Sequence, residues 1–135
     1  MPRDAIDLPA DDPAFGSTKS FESFQFSPAV RARGFVYVSG QVGRAPDGSM
    51  PADLAEQADL AFRRIGLILQ QAGLDYDDIV ELVSYHVDLP AHLPGFIAVK
   101  ERYMKPPYPA WTMIGVSALA HPDLKVEIKA VAAER

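Results

Sequence analysis

The 135-residue sequence contains no cysteine. Disulfide bonds, thiolate nucleophiles and thiolate metal ligands are therefore excluded. The sequence also lacks any run of about 18 to 20 apolar residues, so it predicts no transmembrane helix. The first eight residues carry acidic side chains where a signal peptide would carry an apolar core. We therefore expect a cytoplasmic protein that does not have a membrane as a partner.

Positive charge is scarce as well, with 13 Lys and Arg against 18 Asp and Glu and a formal net charge of −5. Nucleic-acid binding normally requires clustered Lys and Arg, so we expect no nucleic-acid partner. His86, His92 and His121 are widely separated and match no ligand spacing known from metal sites. The sequence therefore predicts no metal site.

The hydrophobic periodicity predicts an α+β domain. Residues 1–19 are polar and are expected to form an irregular N-terminal arm, followed by a single domain over residues 20–135. The predicted strands cover residues 20–26, 29–33, 35–40, 80–87, 111–118 and 125–132, and the last two are expected to form a hairpin. Two helices can cover only one face of such a mostly antiparallel sheet, so apolar residues on the other face predict an oligomer.

The first helix has the clearest boundaries. Asp53 lies three residues before Glu56, as in a capping box, and Gly73 is a typical residue just past a helix end. Apolar residues recur between them at helical spacing. The second helix is predicted over residues 93–104, beginning near Pro94, because proline is tolerated in a first turn.

Several segments, in the right order, carry a family resemblance. They are the hydrophobic strand 35–38 followed by Ser39-Gly40-Gln41, the helix start 53–57, the segment Pro109-Ala110-x-Thr112, and the strand 126–132. The sequence thus resembles the Rid family of reactive-intermediate deaminases, also called YjgF-like, from about residue 26 to residue 132. The resemblance implies a chorismate-mutase-like YjgF fold and a homotrimer with a central barrel, whose small-molecule clefts lie between adjacent subunits. Family members with known chemistry hydrolyse enamines or imines of small amino acids to 2-oxo acids and ammonia without a metal or another cofactor.

Three predicted site residues match the family. Ser39 and Gly40 belong to the Ser-Gly-Gln motif, and Glu127 retains the carboxylate of the last strand. The resemblance implies that Glu127 orients or deprotonates a water molecule, and burial in an apolar cleft would raise its pKa towards that task. The alternative is that Glu127 is a surface carboxylate paired with Lys129.

Other site positions differ from the family. Trp111 occupies the position of the Arg that binds the substrate carboxylate, Phe26 that of a Tyr, and Ile97 that of an Asn. Met113 is added to this predicted ligand-binding set because it points to the same side of its strand as Trp111. Trp111 is interpreted as a ligand platform or as an aromatic plug at a subunit interface, whereas Phe26 and Ile97 are expected to shape the cleft by packing.

The replacement of the family Arg by Trp111 changes the kind of ligand that we expect to bind. Without the Arg, a buried carboxylate would lack its charge-assisted partner, whereas an indole ring favours apolar or cationic groups. Arg31 or Arg33 could supply a displaced positive charge, but a solvated strand edge also explains them. Two functions follow as hypotheses: a Rid-like hydrolase for an enamine or imine without the usual carboxylate, and a non-catalytic trimer that binds or responds to a small molecule.

Overall fold

The computed structural model describes residues 3–8 and 19–135. Its strands are β1 (Asp4–Ile6), β2 (Ala29–Ala32), β3 (Phe35–Val42), β4 (Ile79–Val87), β5 (Ala110–Val116) and β6 (Val126–Ala133). Its helices are α1 (Lys19–Ser23), α2 (Leu54–Gln71), α3 (Leu89–Lys100) and a short 3-10 helix (Tyr76–Asp78). Within the described ranges, no helix has the length and apolar character needed to span a membrane.

The six strands form one mixed sheet in the order β1-β2-β3-β6-β4-β5. Burial alternates along β6, where Val126, Ile128, Ala130 and Ala132 are buried and Lys129 is exposed. The buried strand residues share a core with α2 and α3, which include the fully buried Phe62, Ile65 and Phe96. The predicted α+β class, with one helix-covered sheet face, is confirmed.

The helix α2 follows its local sequence signals closely. The Asp53 carboxylate accepts a hydrogen bond from the Glu56 N–H at 3.3 Å, and Gly73 adopts a positive φ of 78° just past the helix end. The prediction for α3 was wrong at both ends, because α3 begins at Leu89 and ends at Lys100. Pro90 takes the first-turn position, where no N–H donor is needed, and Pro94 lies inside the helix.

The predicted hairpin of the last two strands is also wrong. β5 pairs in parallel with β4, whereas β6 lies between β3 and β4 and is antiparallel to both. The helix α3 provides the crossover that a parallel β4–β5 pair requires. Burial alternates along β6 as predicted, whereas β5 is mostly exposed on both faces. Alternation in a sequence indicates which face of a strand is apolar and does not specify the neighbouring strand.

The N-terminal segment departs from its predictions. Residues 4–6 form β1, which pairs with β2 through Asp4–Arg31 and Ile6–Ala29, so they are not part of an irregular arm. The remainder of the predicted arm falls largely on residues 9–18, outside the described residues. Residues 20–26 form no strand; residues 19–23 are helical, and the ring of Phe21 packs edge-on against Phe26 at 5.1 Å between centroids.

Candidate functional site

A cavity of about 450 Å³ opens between α1, the start of β6 and the end of β3. Its apolar wall includes Phe21, Phe24, Phe26 and Leu124, and its polar wall includes Ser39, Gln41, Arg44, Arg64, His121 and Glu127. The cavity adjoins an irregularity in the β3–β6 ladder between Val38 and Gln41. Such irregularities redirect side chains and are frequent beside active sites.

Glu127 projects into this cavity from β6. Its side chain lies against Gly40, where an added Cβ would come 2.8 Å from the Glu127 Cδ. A side chain at Gly40 would therefore displace the carboxylate. Burial raises the pKa of Glu127 above its usual range. No ion pair among residues 3–8 and 19–135 includes Glu127, so the predicted alternative of a pair with Lys129 is not observed there.

The Ser39-Gly40-Gln41 motif is held by internal hydrogen bonds. The Ser39 hydroxyl donates to the Ser27 carbonyl at 2.6 Å, which leaves its oxygen able to act only as an acceptor towards a ligand. The Gln41 amide donates to the Ser39 carbonyl at 3.0 Å, and its oxygen accepts from Arg64 Nε at 3.2 Å. These bonds fix the backbone on which Glu127 rests.

Arg64 is a functional candidate that the sequence analysis missed. It is only 7% exposed and lies on the buried face of α2, in the same row as Ala61 and Ile68. Burial, followed by the positive charge of Arg44, lowers the pKa of Arg64 to about 10. The available signal was a charged residue within the apolar stripe of an amphipathic helix, where ionised side chains are rarely found unless they are paired.

His121 was also missed as a cavity residue. Its ring Nδ1 accepts a hydrogen bond from the Asp123 N–H at 3.1 Å, so the neutral ring carries its proton on Nε2. The ring thus has a donor available for a ligand. The sequence analysis considered His121 only as a metal ligand, and its place in the cavity depends on how the loop before β6 folds.

Of the predicted site residues, the structure places Phe26, Ser39, Gly40 and Glu127 around this cavity and Ile97, Trp111 and Met113 elsewhere. Those three lie on α3 and β5, at the far edge of the sheet. Ile97 is 38% exposed and Met113 is 37% exposed. A single chain therefore does not assemble the complete predicted set.

Trp111 contacts both β4 and α3 of its chain. Its indole N–H donates to Ser84 Oγ at 2.9 Å, and its ring packs against Phe96 with 5.9 Å between centroids. Lys100 Nζ lies 4.6 Å from the Trp111 ring centroid, at cation–π distance. Trp111 thus holds a cation of its own chain.

The two strand-edge arginines lie outside the cavity lining. Arg31 forms an ion pair with Glu134 at 3.1 Å and donates to the Ala72 carbonyl at 3.0 Å. Arg33 adopts a positive φ of 51° in the turn between β2 and β3. Their placement gives no support to a displaced positive charge in the cavity, and β2 lies between β1 and β3, so Arg31 is not on an edge strand either.

Comparison with known proteins agrees with the fold and the motif. A family model described as Endoribonuclease L-PSP matches residues 19–134. The chain therefore belongs to the YjgF/RutC/Rid family, and the predicted family membership is confirmed.

Relatives extend over most of the chain. The RutC family protein YjgH of Escherichia coli K12 is 35% identical over 114 residues, which cover 84% of this chain and 87% of the relative. A human protein named 2-iminobutanoate/2-iminopropanoate deaminase is 33% identical over 112 residues, covering 79% and 78% of the two chains.

Solved structures show the same fold. The structure of protein YjgH superposes with a TM-score of 0.86 at 32% identity and covers 99% of this chain and 98% of its own. Escherichia coli TdcF, solved with bound serine, superposes with a TM-score of 0.75 at 28% identity and covers 82% of this chain and 88% of its own.

Proposed function

We propose that this protein is a Rid-type deaminase, a hydrolase that converts an enamine or imine of a small metabolite into a carbonyl compound and ammonia. The placement of Glu127 carries the proposal. It is the one acidic side chain among the described residues that line the cavity, it is held against Gly40, and burial raises its pKa. The name of the human relative supports the same reaction class.

The chemistry requires one group that can accept and return a proton. An enamine first gains a proton on carbon and loses one from nitrogen, which gives the imine. Water then attacks the imine carbon, while the Glu127 carboxylate takes one water proton and returns it to nitrogen, so that C=N becomes a C–N single bond and a carbinolamine with one hydroxyl and one amino group forms. Glu127 next takes the hydroxyl proton and passes it to the amino nitrogen, the C–N bond breaks, C=O forms and ammonia leaves. A carboxyl group with a raised pKa suits both directions of this transfer.

The substrate is expected to bind differently from the usual 2-imino acids. Those substrates would place a carboxylate at the position of Trp111, whose single N–H donor already bonds to Ser84. Lys100 lies over the ring face, which brings a point charge but no bidentate fork. The group that binds the substrate carboxylate in the family is therefore absent from this position.

We further propose that the protein acts as a homotrimer with the cavity at an intersubunit cleft. In this arrangement, the edge that bears Ile97, Trp111 and Met113 in one copy closes the cavity of the next copy. The exposed side chains of Phe35, Tyr37 and Ile114 support the assembly, because a sheet face with such residues favours burial against a partner. Sedimentation velocity at micromolar concentration tests this, and a monomer would contradict it.

A non-catalytic small-molecule-binding or regulatory trimer is the alternative function. That alternative predicts an exposed or ion-paired Glu127, because a protein without the chemistry gains nothing from burying a carboxylate. The half-buried Glu127, which has no ion pair among the described residues, instead favours the deaminase.

Ammonia release tests the proposal. The assay uses freshly generated 2-aminoacrylate, 2-iminobutanoate and the methyl ester of 2-iminobutanoate, with wild type, Glu127→Gln and Glu56→Gln compared. Glu56 is exposed on α2, away from the sheet face proposed to bind a partner, so Glu56→Gln is a matched control that should keep full activity. Loss of the catalytic base should lower turnover by roughly a hundredfold or more in Glu127→Gln.

The pH dependence offers a second readout. Burial raises the pKa of Glu127. The carboxylate form, which acts as the base, therefore predominates only at pH values above this raised pKa, which is higher than the pKa of an ordinary Glu. As the pH is lowered, activity should therefore fall at a higher pH than the titration of a free Glu would predict. Full activity in Glu127→Gln, or no turnover of any of the three substrates by wild type, would refute the proposed function.

A further inference from the structure

We propose that Ser84 and His86 are positioning residues, which hold the Trp111 indole with its N–H turned into the core and its ring presented to the ligand. The inference rests on the proposed function, in which the edge that bears Trp111 closes the cavity of the next copy. It deepens that function by assigning to two buried residues of β4 the shape of this part of the ligand site.

A hydrogen-bonded chain of three side chains is the first support. The Trp111 indole N–H donates to Ser84 Oγ at 2.9 Å, and Ser84 Oγ lies 2.8 Å from His86 Nε2. An indole N–H can only donate, so the Ser84 oxygen is the acceptor. The Ser84 hydroxyl still has its own proton to donate, and among the described residues His86 Nε2 is the acceptor within reach. The neutral His86 ring therefore carries its proton on Nδ1.

The position of this chain in the core is the second support. Ser84 and His86 are both fully buried, on an inner strand of the sheet. Among the described residues, His86 Nδ1 has no hydrogen-bond partner, and apolar side chains of the same shape would fill such a place at no loss of stability. Departures from apolar packing of this kind are expected mainly at functional sites. The fixed orientation of Trp111 is what the polar pair provides in return.

Ring contacts complete the support of the indole. The Phe96 ring of α3 lies edge-on to the His86 ring with 4.6 Å between centroids and packs against Trp111 at 5.9 Å. The hydrogen-bonded chain and these contacts close on each other, because Phe96 contacts both ends of the chain. Rotation of the indole would break its bond to Ser84 and its packing on Phe96 together. Such preorganisation of a ligand site favours binding.

The protonation state of His86 agrees with its role as acceptor. Burial, followed by repulsion from a protonated His92, lowers the pKa of His86, so its ring is neutral at neutral pH. Only a neutral ring leaves Nε2 able to accept the Ser84 proton, because a charged ring carries a proton on both nitrogens.

The test uses the single tryptophan of the chain, because tryptophan fluorescence then reports on Trp111 alone. Acrylamide quenching measures how freely the indole is reached. Titration with 2-oxobutanoate and with its methyl ester, followed by the same fluorescence, measures binding without turnover. The two main variants are Ser84→Thr and Ser84→Val. They add nearly the same volume at a buried position and differ in the hydroxyl, so each is the matched control of the other.

Ser84→Thr should behave like wild type, because it keeps the hydroxyl. Ser84→Val should be quenched more strongly, and it should bind whichever ligand wild type binds roughly fivefold more weakly, which is the factor that one hydrogen bond provides. His86→Leu removes the acceptor of the Ser84 proton and should change quenching and binding in the same direction.

If the Thr and Val variants fail to fold, the comparison of Ser84→Ala with wild type decides the question, because this change only removes the hydroxyl. Equal quenching and equal binding in Ser84→Val and Ser84→Thr would overturn the proposal, and so would a wild type that binds neither ligand. Unchanged values in His86→Leu would remove His86 from the positioning role.

The two proposals can fail separately. Changes in quenching and binding that Ser84→Thr restores, without ammonia release by wild type, would remove the deaminase function and keep the positioning role. Ammonia release that depends on Glu127, combined with equal quenching in Ser84→Val and Ser84→Thr, would keep the deaminase and remove the positioning role.

Discussion

The side chain of Gln57 connects the wall of the cavity to α2. It is fully buried, and its amide donates to the carbonyls of Pro51 and Asp123, each at 2.8 Å. Its oxygen accepts from the Lys125 N–H, also at 2.8 Å. These bonds hold the loop before β6, which contributes Ala120, His121 and Leu124 to the cavity.

Replacing Gln57 with Met keeps the length of the side chain and removes all three bonds. A hydrogen bond contributes about 1 kcal/mol net, so Gln57→Met should lower the free energy of unfolding by about 3 kcal/mol. At roughly 4 °C per kcal/mol for a domain of this size, the melting temperature should fall by roughly 12 °C. The control Gln71→Met changes an exposed glutamine at the end of the same helix and should have little effect.

Urea unfolding followed by circular dichroism measures both variants. Protein concentration is held constant, because the stability of an oligomer depends on it. The loop should also loosen, and faster hydrogen exchange at the Lys125 amide would report this directly. If Gln57→Met is no less stable than Gln71→Met, then the three bonds do not hold the loop in the way we infer.

Two further changes test the site and the core. Gly40→Ala should lower ammonia release by roughly a hundredfold with little loss of stability, because the new Cβ displaces the flexible Glu127 side chain; normal turnover would contradict this. The Tyr103 hydroxyl donates to the Asp59 carboxylate, and burial, followed by this bond, raises the pKa of Tyr103 to about 12. In the unfolded chain the Tyr103 phenol ionises near pH 10. The free energy of unfolding that the raised pKa of Tyr103 provides is therefore lost as pH rises from about 10 to about 12. Tyr103→Phe should remove that contribution in unfolding experiments across this range, and an unchanged profile would argue against it.

Local patterns in the sequence were sufficient for individual elements. The Asp53 cap and the helical spacing after it predicted α2 closely, and the alternation from Val126 onwards predicted β6. The Ser39-Gly40 motif and Glu127 were predicted to share a site, and the structure places them around one cavity. These features depend on neighbours close in sequence or on a family resemblance, so a single sequence could reveal them.

Tertiary contacts decided the rest. Alternation in β5 could not show that its partner is β4, because the pairing depends on the path of α3. Spacing could not show that Arg64 reaches Gln41, 23 residues away, or that Gln57 binds Lys125, 68 residues away. The sequence alone determined which faces are apolar and which family motif is present. The folded chain determined the charge around Glu127, because that charge comes from side chains brought together only when the sheet and α2 pack.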